Sequence, residues 1–85
     1  MPWKLELTDR ANNNLAAVWL ASSQQLAVNA AMNDIERRLT RDPRGQGKEL
    51  SEGLWAINCP PLRALYEIDD ASQQVTITAI KESFS

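Results

Sequence analysis

The stretch Gly53–Asp70, GLWAINCPPLRALYEIDD, constrains this chain more than any other. An apolar run of Leu54, Trp55, Ala56 and Ile57 stops at Asn58-Cys59-Pro60-Pro61. A second run of Leu62, Ala64, Leu65, Tyr66 and Ile68 ends on Asp69-Asp70. Strand-like runs on either side of a proline-rich break predict a β-hairpin with a loop of a few residues. One arginine, Arg63, stands inside the second run. A guanidinium cannot be neutralised, so it must meet water, a carboxylate or a bound anion.

The rest of the chain supplies elements to pack on that hairpin. Trp3, Leu5 and Leu7 alternate with Lys4 and Glu6, the period of a half-buried strand. Thr8 and Asp9 are good N-cap residues, and Ala11, Leu15, Val18 and Trp19 follow as one helical stripe, with Asn12, Asn13 and Asn14 assigned to its wet face. Ser22 and Gln25 have the form of a capping box, which predicts a second helix start there. Its stripe is Val28, Ala31, Met32, Ile35 and Leu39, and Asp42-Pro43 should end it. Small residues at Ala27, Ala30 and Ala31 allow the two helices to approach closely as an antiparallel pair.

Pro43–Ser51 reads as a polar loop, Asp70–Gln74 as a turn, and Val75–Lys81 as a β-branched strand. The predicted order is β-α-α-β-β-β, an α+β fold with a helical hairpin packed on a mostly antiparallel four-stranded sheet. A length of 85 residues allows one small domain, expected to span residues 1–85.

Composition narrows the chemistry. No apolar run approaches the ~18 residues of a membrane span. The opening MPWKLELTDR lacks the apolar core of a secretory signal. A single cysteine, Cys59, and no histidine argue against zinc sites and an activated thiol, and fit a reducing cytoplasm. Gly45 and Gly47 lack the strand–helix context of a phosphate loop. No metal or cofactor is expected.

Net charge is −2 but unevenly spread: Arg37, Arg38, Arg41, Arg44 and Lys48, set against Asp42, make that window +4. Arg37, Arg41, Arg44 and Lys48 are candidates for RNA or partner binding, the alternative being a solvated helix end that complements the helix dipole. Arg63 has an equally plain alternative, a structural pairing with carboxylates such as Glu67 on its own strand face. Tyr66, with Leu62, Ala64 and Ile68, belongs to the core face, its hydroxyl at the core's edge. Three tryptophans are many for so small a core, so one is a candidate for an exposed anchor.

LTRDP at Leu39–Pro43, the glycine-containing loop, LRALYEIDD at Leu62–Asp70 and a β-branched last strand, in this order, resemble the RelE/ParE toxin superfamily. Trp19-Leu20 adds weaker support. The likeness covers nearly the whole chain and implies a cytoplasmic toxin of a bacterial type II toxin–antitoxin module, neutralised by a cognate antitoxin. It implies either action on translation, as a metal-independent endoribonuclease working on ribosome-bound mRNA, or inhibition of DNA gyrase. By the resemblance, Arg63 falls where the nuclease branch holds a phosphate-contacting sheet arginine, and Lys81 stands for the basic residue near the last strand. Leu54 and Ala56 stand where the best-known nuclease has lysines, and Phe84 where a tyrosine is expected. The nuclease set is thus incomplete. The second implied reading is a catalytically degenerate protein of the same fold that only binds an antitoxin or regulatory partner.

Overall fold

The computed structural model describes residues 3–83. Its centre is the expected hairpin: β3 (Leu54–Cys59) and β4 (Leu62–Asp69) pair antiparallel from Cys59 opposite Leu62 to Trp55 opposite Tyr66. β4 pairs antiparallel with β5 (Gln74–Glu82), and β5 takes β1 (Lys4–Leu7) in parallel on its other side. Between β1 and the hairpin run α1 (Asp9–Ala21) and α2 (Gln25–Arg41). Both helices cover one face of the sheet. There Val28, Ile35 and Leu39 of α2 bury against Ile57, Leu62, Ala64, Tyr66, Val75, Ile77 and Ile80 of the strands.

Thr8 caps α1 as its sequence predicts, its Oγ1 accepting from Ala11 N at 3.1 Å. The capping box at Ser22 and Gln25 does not form. Ser22 instead terminates α1, and its Oγ accepts from Gln24 N at 2.9 Å. Gln25 Nε2 reaches back to donate to Trp19 O, which leaves Gln24 as an N-cap without a side-chain bond. Two turn-forming serines can stop one helix as readily as start the next.

The sheet has five strands, in the order β1-β5-β4-β3-β2, where four were expected. The segment predicted as a polar loop contains a short helix, α3 (Pro43–Gln46), and the edge strand β2 (Lys48–Ser51), antiparallel to β3. Asp42 initiates α3, its Oδ1 accepting from Gly45 N at 3.0 Å with Pro43 in the first turn. Every residue of β2 is exposed, so KELS carries no apolar alternation and its pairing is invisible to a period-two test.

A β-bulge interrupts the β4–β5 ladder. Leu65 pairs with Ala79 and Tyr66 with Ile77, which leaves Thr78 as the extra residue. Its Oγ1 donates to Leu65 O at 3.4 Å, and Thr8 Oγ1 donates to Thr78 O at 3.3 Å. Beyond the end of β1, Asn14 of α1 takes over that edge, its Oδ1 accepting from Ile80 N at 3.1 Å. Asn14 is therefore half-buried and structural, not on the wet face assigned to it.

Candidate anion-binding face

The bulge decides what the open face of the sheet carries. Val75 and Ile77 point into the core, and unbroken alternation would send Ala79 and Lys81 inward after them. The extra residue at Thr78 reverses that parity. Ile80 enters the core, and Lys81 emerges on the open face directly opposite Arg63.

Three cations meet on this face. Arg63 is flanked in register by Asn58 on β3 and Lys81 on β5. One row along, Lys48 of β2 pairs with Ala56, Ala56 with Leu65, and Leu65 with Ala79. Residues opposed across an antiparallel ladder share a face, so Lys48, Arg63 and Lys81 project to the same side, and all three are exposed. Ala56 and Ala79 form a small, apolar floor between them, 7% and 3% exposed yet outside the helix-covered core cluster. A shallow groove of about 340 Å³ is lined by Gln46, Gly47, Lys48, Leu50, Asn58 and Arg63, among others.

The carboxylates of this face lie at its other end, with Glu67 and Glu6 in one row around Thr76. From Arg63 to Glu67 is four residues of strand, roughly 13 Å. Among the described residues the ion pairs are Asp34 with Arg37, Asp34 with Arg38, and Arg44 with Asp70; none involves Arg63, Lys81 or Lys48. The structural pairing of Arg63 with Glu67 is therefore not formed.

The basic run does not form one patch. Arg37 and Arg38 share Asp34 on α2, the Arg38 Nε contact being 3.0 Å. Arg44 makes a bidentate pair with Asp70 at 2.7 and 2.6 Å, joining α3 to the end of β4. That hydrogen bonding holds the Asp70 carboxyl below its usual range and raises the Arg44 guanidinium. Arg41 is exposed at the end of α2, while Lys48 alone joins Arg63. Phe84 lies outside the described residues.

Tyr66 and Cys59 are core residues. The Tyr66 ring is fully buried and stacks near Trp55, centroids 6.4 Å apart. Its hydroxyl donates to Pro43 O at 2.5 Å, fixing α3 and thereby the approach to β2. Burial, helped by the Asp42 carboxylate, pushes the Tyr66 hydroxyl up to about 12. Cys59 Sγ lies 3.6 Å from Asp34 Oδ2. Burial pushes its thiol up, against the opposing influence of Arg38, so it is not poised as a nucleophile.

Sequence reading did not find the positioning roles of Thr78 and Asn14. The signal for the first was present: apolar residues at Val75, Ile77 and Ile80 shift parity within one strand. Nothing in Asn12-Asn13-Asn14 marked the third asparagine as the one turned to the sheet.

This α+β architecture, a helical hairpin on one face of a five-stranded sheet, is the fold of the RelE/ParE toxin superfamily. The chain is similar to a structure of the RelBE2 toxin–antitoxin complex from Mycobacterium tuberculosis, with a TM-score of 0.81 and 23% identity over 98% of this chain and 93% of that one. A chromosomal ParDE system from P. aeruginosa gives a TM-score of 0.70 and 14% identity over 96% and 97% of the two chains. An E. coli RelE variant in the free state gives 0.71 and 13% over 96% and 84%. No family model and no curated protein sequence matches the chain.

Proposed function

We propose that this chain is the toxin of a bacterial type II toxin–antitoxin module, held inactive by a cognate antitoxin in the cytoplasm, and that it acts on translation by binding RNA across the open face of its sheet. The observation that carries this reading is the opposition of Arg63 and Lys81 on neighbouring strands, with Lys48 on the same face and no carboxylate paired to any of them among the described residues. Like charges facing each other across a ladder are destabilising, so their placement is better explained by an anionic ligand than by the fold. A phosphodiester backbone suits it: Arg63 offers a bidentate fork, Lys48 and Lys81 offer point charges, and Asn58 stands beside them. The fold's occurrence in RelBE2 and ParDE complexes supports an antitoxin as partner.

Ala56 and Leu54 favour a second reading, because they place no basic side chain on β3 and leave proton transfer without an evident group there. On that reading the protein keeps the partner-binding surface but inhibits by occupancy, or serves only as an interaction protein.

Regulated expression in a bacterial host, comparing the wild type with Arg63→Ala, tests both. Growth arrest that the substitution abolishes, with mRNA cut within ribosomes, is the outcome expected of a nuclease. Arrest with intact mRNA but blocked translation indicates inhibition by occupancy. Arrest with translation intact and DNA supercoiling blocked transfers the target to gyrase. Absence of arrest, with a small partner co-purifying, leaves the interaction protein.

A further inference from the structure

Across the open face of the sheet, side chains fall into rows whose charge changes sign along the strands. Asn58, Arg63 and Lys81 form the first row, and Lys48, Ala56, Leu65 and Ala79 the second. The third row is Glu67 on β4, Thr76 on β5 and Glu6 on β1. Both glutamates are exposed, and among the described residues no ion pair includes either. Gln74 Nε2 donates to Glu6 Oε2 at 2.7 Å, a neutral partner that holds this carboxylate without cancelling its charge. Asp69, one row further, has a turn to stabilise: its Oδ1 accepts from Ala71 N at 3.0 Å. No such bond among the described residues accounts for Glu67, and glutamate is a residue that strands disfavour.

We propose that Glu67 and Glu6 form an acidic wall that confines bound RNA to a short segment lying across the strands. This deepens the RNA-binding reading above and rests on it. From β2 to β5 are three inter-strand spacings, ~14 Å, so a chain lying over Lys48, Arg63 and Lys81 presents about two or three phosphates. That path runs parallel to the wall. At roughly 13 Å from Arg63, Glu67 stands beyond a Debye length of ~8 Å and barely disturbs it. A chain that instead turned along the strands would cross the apolar floor, whose row lies only ~7 Å from Glu67. A phosphate there is within one Debye length of the carboxylate, and no cation stands ahead of it until Lys4 in the last row. Neither Ala56 nor Ala79 is large enough to bar this route by bulk, so charge has to do it. Like-charge juxtaposition is a general means of rejecting an unwanted mode of binding. The two signs on one face thus have separate tasks. The cations hold a short stretch of backbone, and the carboxylates stop a longer one from spreading.

Fluorescence anisotropy of the full chain tests this with single-stranded RNAs of about three and about nine nucleotides. The double variant Glu6→Gln, Glu67→Gln should bind the longer RNA about three- to fivefold more tightly than the wild type, and the shorter one within about twofold. Glu67→Gln alone leaves the Gln74 bond to Glu6 in place and should give a smaller gain of the same kind. Glu36→Gln is the control: it removes the same charge from α2, on the helix-covered side of the sheet. No gain, equal gains at both lengths, or a gain matched by Glu36→Gln overturns the wall while leaving RNA binding in place. Failure to bind either RNA, or binding indifferent to Arg63→Gln, overturns the RNA reading and the wall with it.

Discussion

Lys81 lies directly opposite Arg63 on adjacent antiparallel strands, and both side chains are exposed on the open face of the sheet. A like-charge pair in this position costs roughly 0.2–1 kcal/mol. Arg63→Gln and Lys81→Gln should therefore each raise stability by up to about that amount while weakening RNA binding. Urea denaturation and a filter-binding assay on the same samples check the two halves. A loss of both stability and binding would mean that these residues serve the fold.

Salt dependence gives the second prediction. With three cations on single-stranded RNA phosphates, log K should fall with log salt at a slope of about −2. Lys48→Gln should reduce the slope by about 0.7, as should Lys81→Gln, whereas Arg41→Gln should leave it unchanged. That contrast separates the face from the remainder of the basic run, where Arg37, Arg38 and Arg44 are already occupied by Asp34 and Asp70.

Asn14 allows a third test. Its side chain accepts from Ile80 N where β1 no longer covers the edge of β5. Asn14→Leu removes that acceptor and should cost about 1–3 kcal/mol in denaturant unfolding. Because Ile80 precedes Lys81, hydrogen exchange at the Ile80 amide should rise before the rest of β5 loses protection.

Tyr66 is the only tyrosine, so its ionisation can be followed by ultraviolet absorbance without interference from another. Its pKa is raised to about 12 in the fold, mainly by burial and further by the nearby Asp42 carboxylate. An unfolded tyrosine ionises near 10. Below that pH both states are protonated and the contribution is complete. As pH rises from about 10 to about 12 the unfolded chain sheds the proton while the native one keeps it, so stability falls. Tyr66→Phe should remove this part of the alkaline loss, seen as a shallower decline in thermal midpoint than the wild type shows.

How legible the molecule is in its sequence depends on what encodes each part. The hairpin, both long helices and the last strand declare themselves because each buries one face and so has a period. β2 buries nothing, and its only reason to be a strand is the open edge of β3 beside it. Arg63 could be picked out because a cation in an apolar run is anomalous. Lys81 entered through the family resemblance and Lys48 as part of the basic run, but that they share the face of Arg63 was not legible: Lys81 reaches that face only through the bulge at Thr78, and Lys48 only through the unseen strand. Conversely, Arg37 and Arg44 looked available in sequence because Asp34 and Asp70 are matched to them by folding, the second across 26 residues.

Gly47 joins the core to that unseen strand and supplies the last prediction. A Cβ at this position would lie 1.8 Å from Tyr66 Oη and 2.8 Å from Ala56 O. The tyrosine hydroxyl cannot yield freely, because it is hydrogen-bonded to Pro43 O. Gly47→Ala must therefore either break that bond or displace β2 from β3, and should cost about 1–3 kcal/mol. Removing the hydroxyl takes away the closest clash but not the contact with the Ala56 carbonyl. Gly47→Ala should then cost less in a Tyr66→Phe background than in the wild type, with a coupling of about 1 kcal/mol in a double-mutant cycle. If β2 moves, Lys48 leaves Arg63, and RNA binding falls in Gly47→Ala even under conditions where the protein is fully folded. Additive costs with unchanged binding would mean that the hydroxyl and Gly47 do not act together to seat the edge strand.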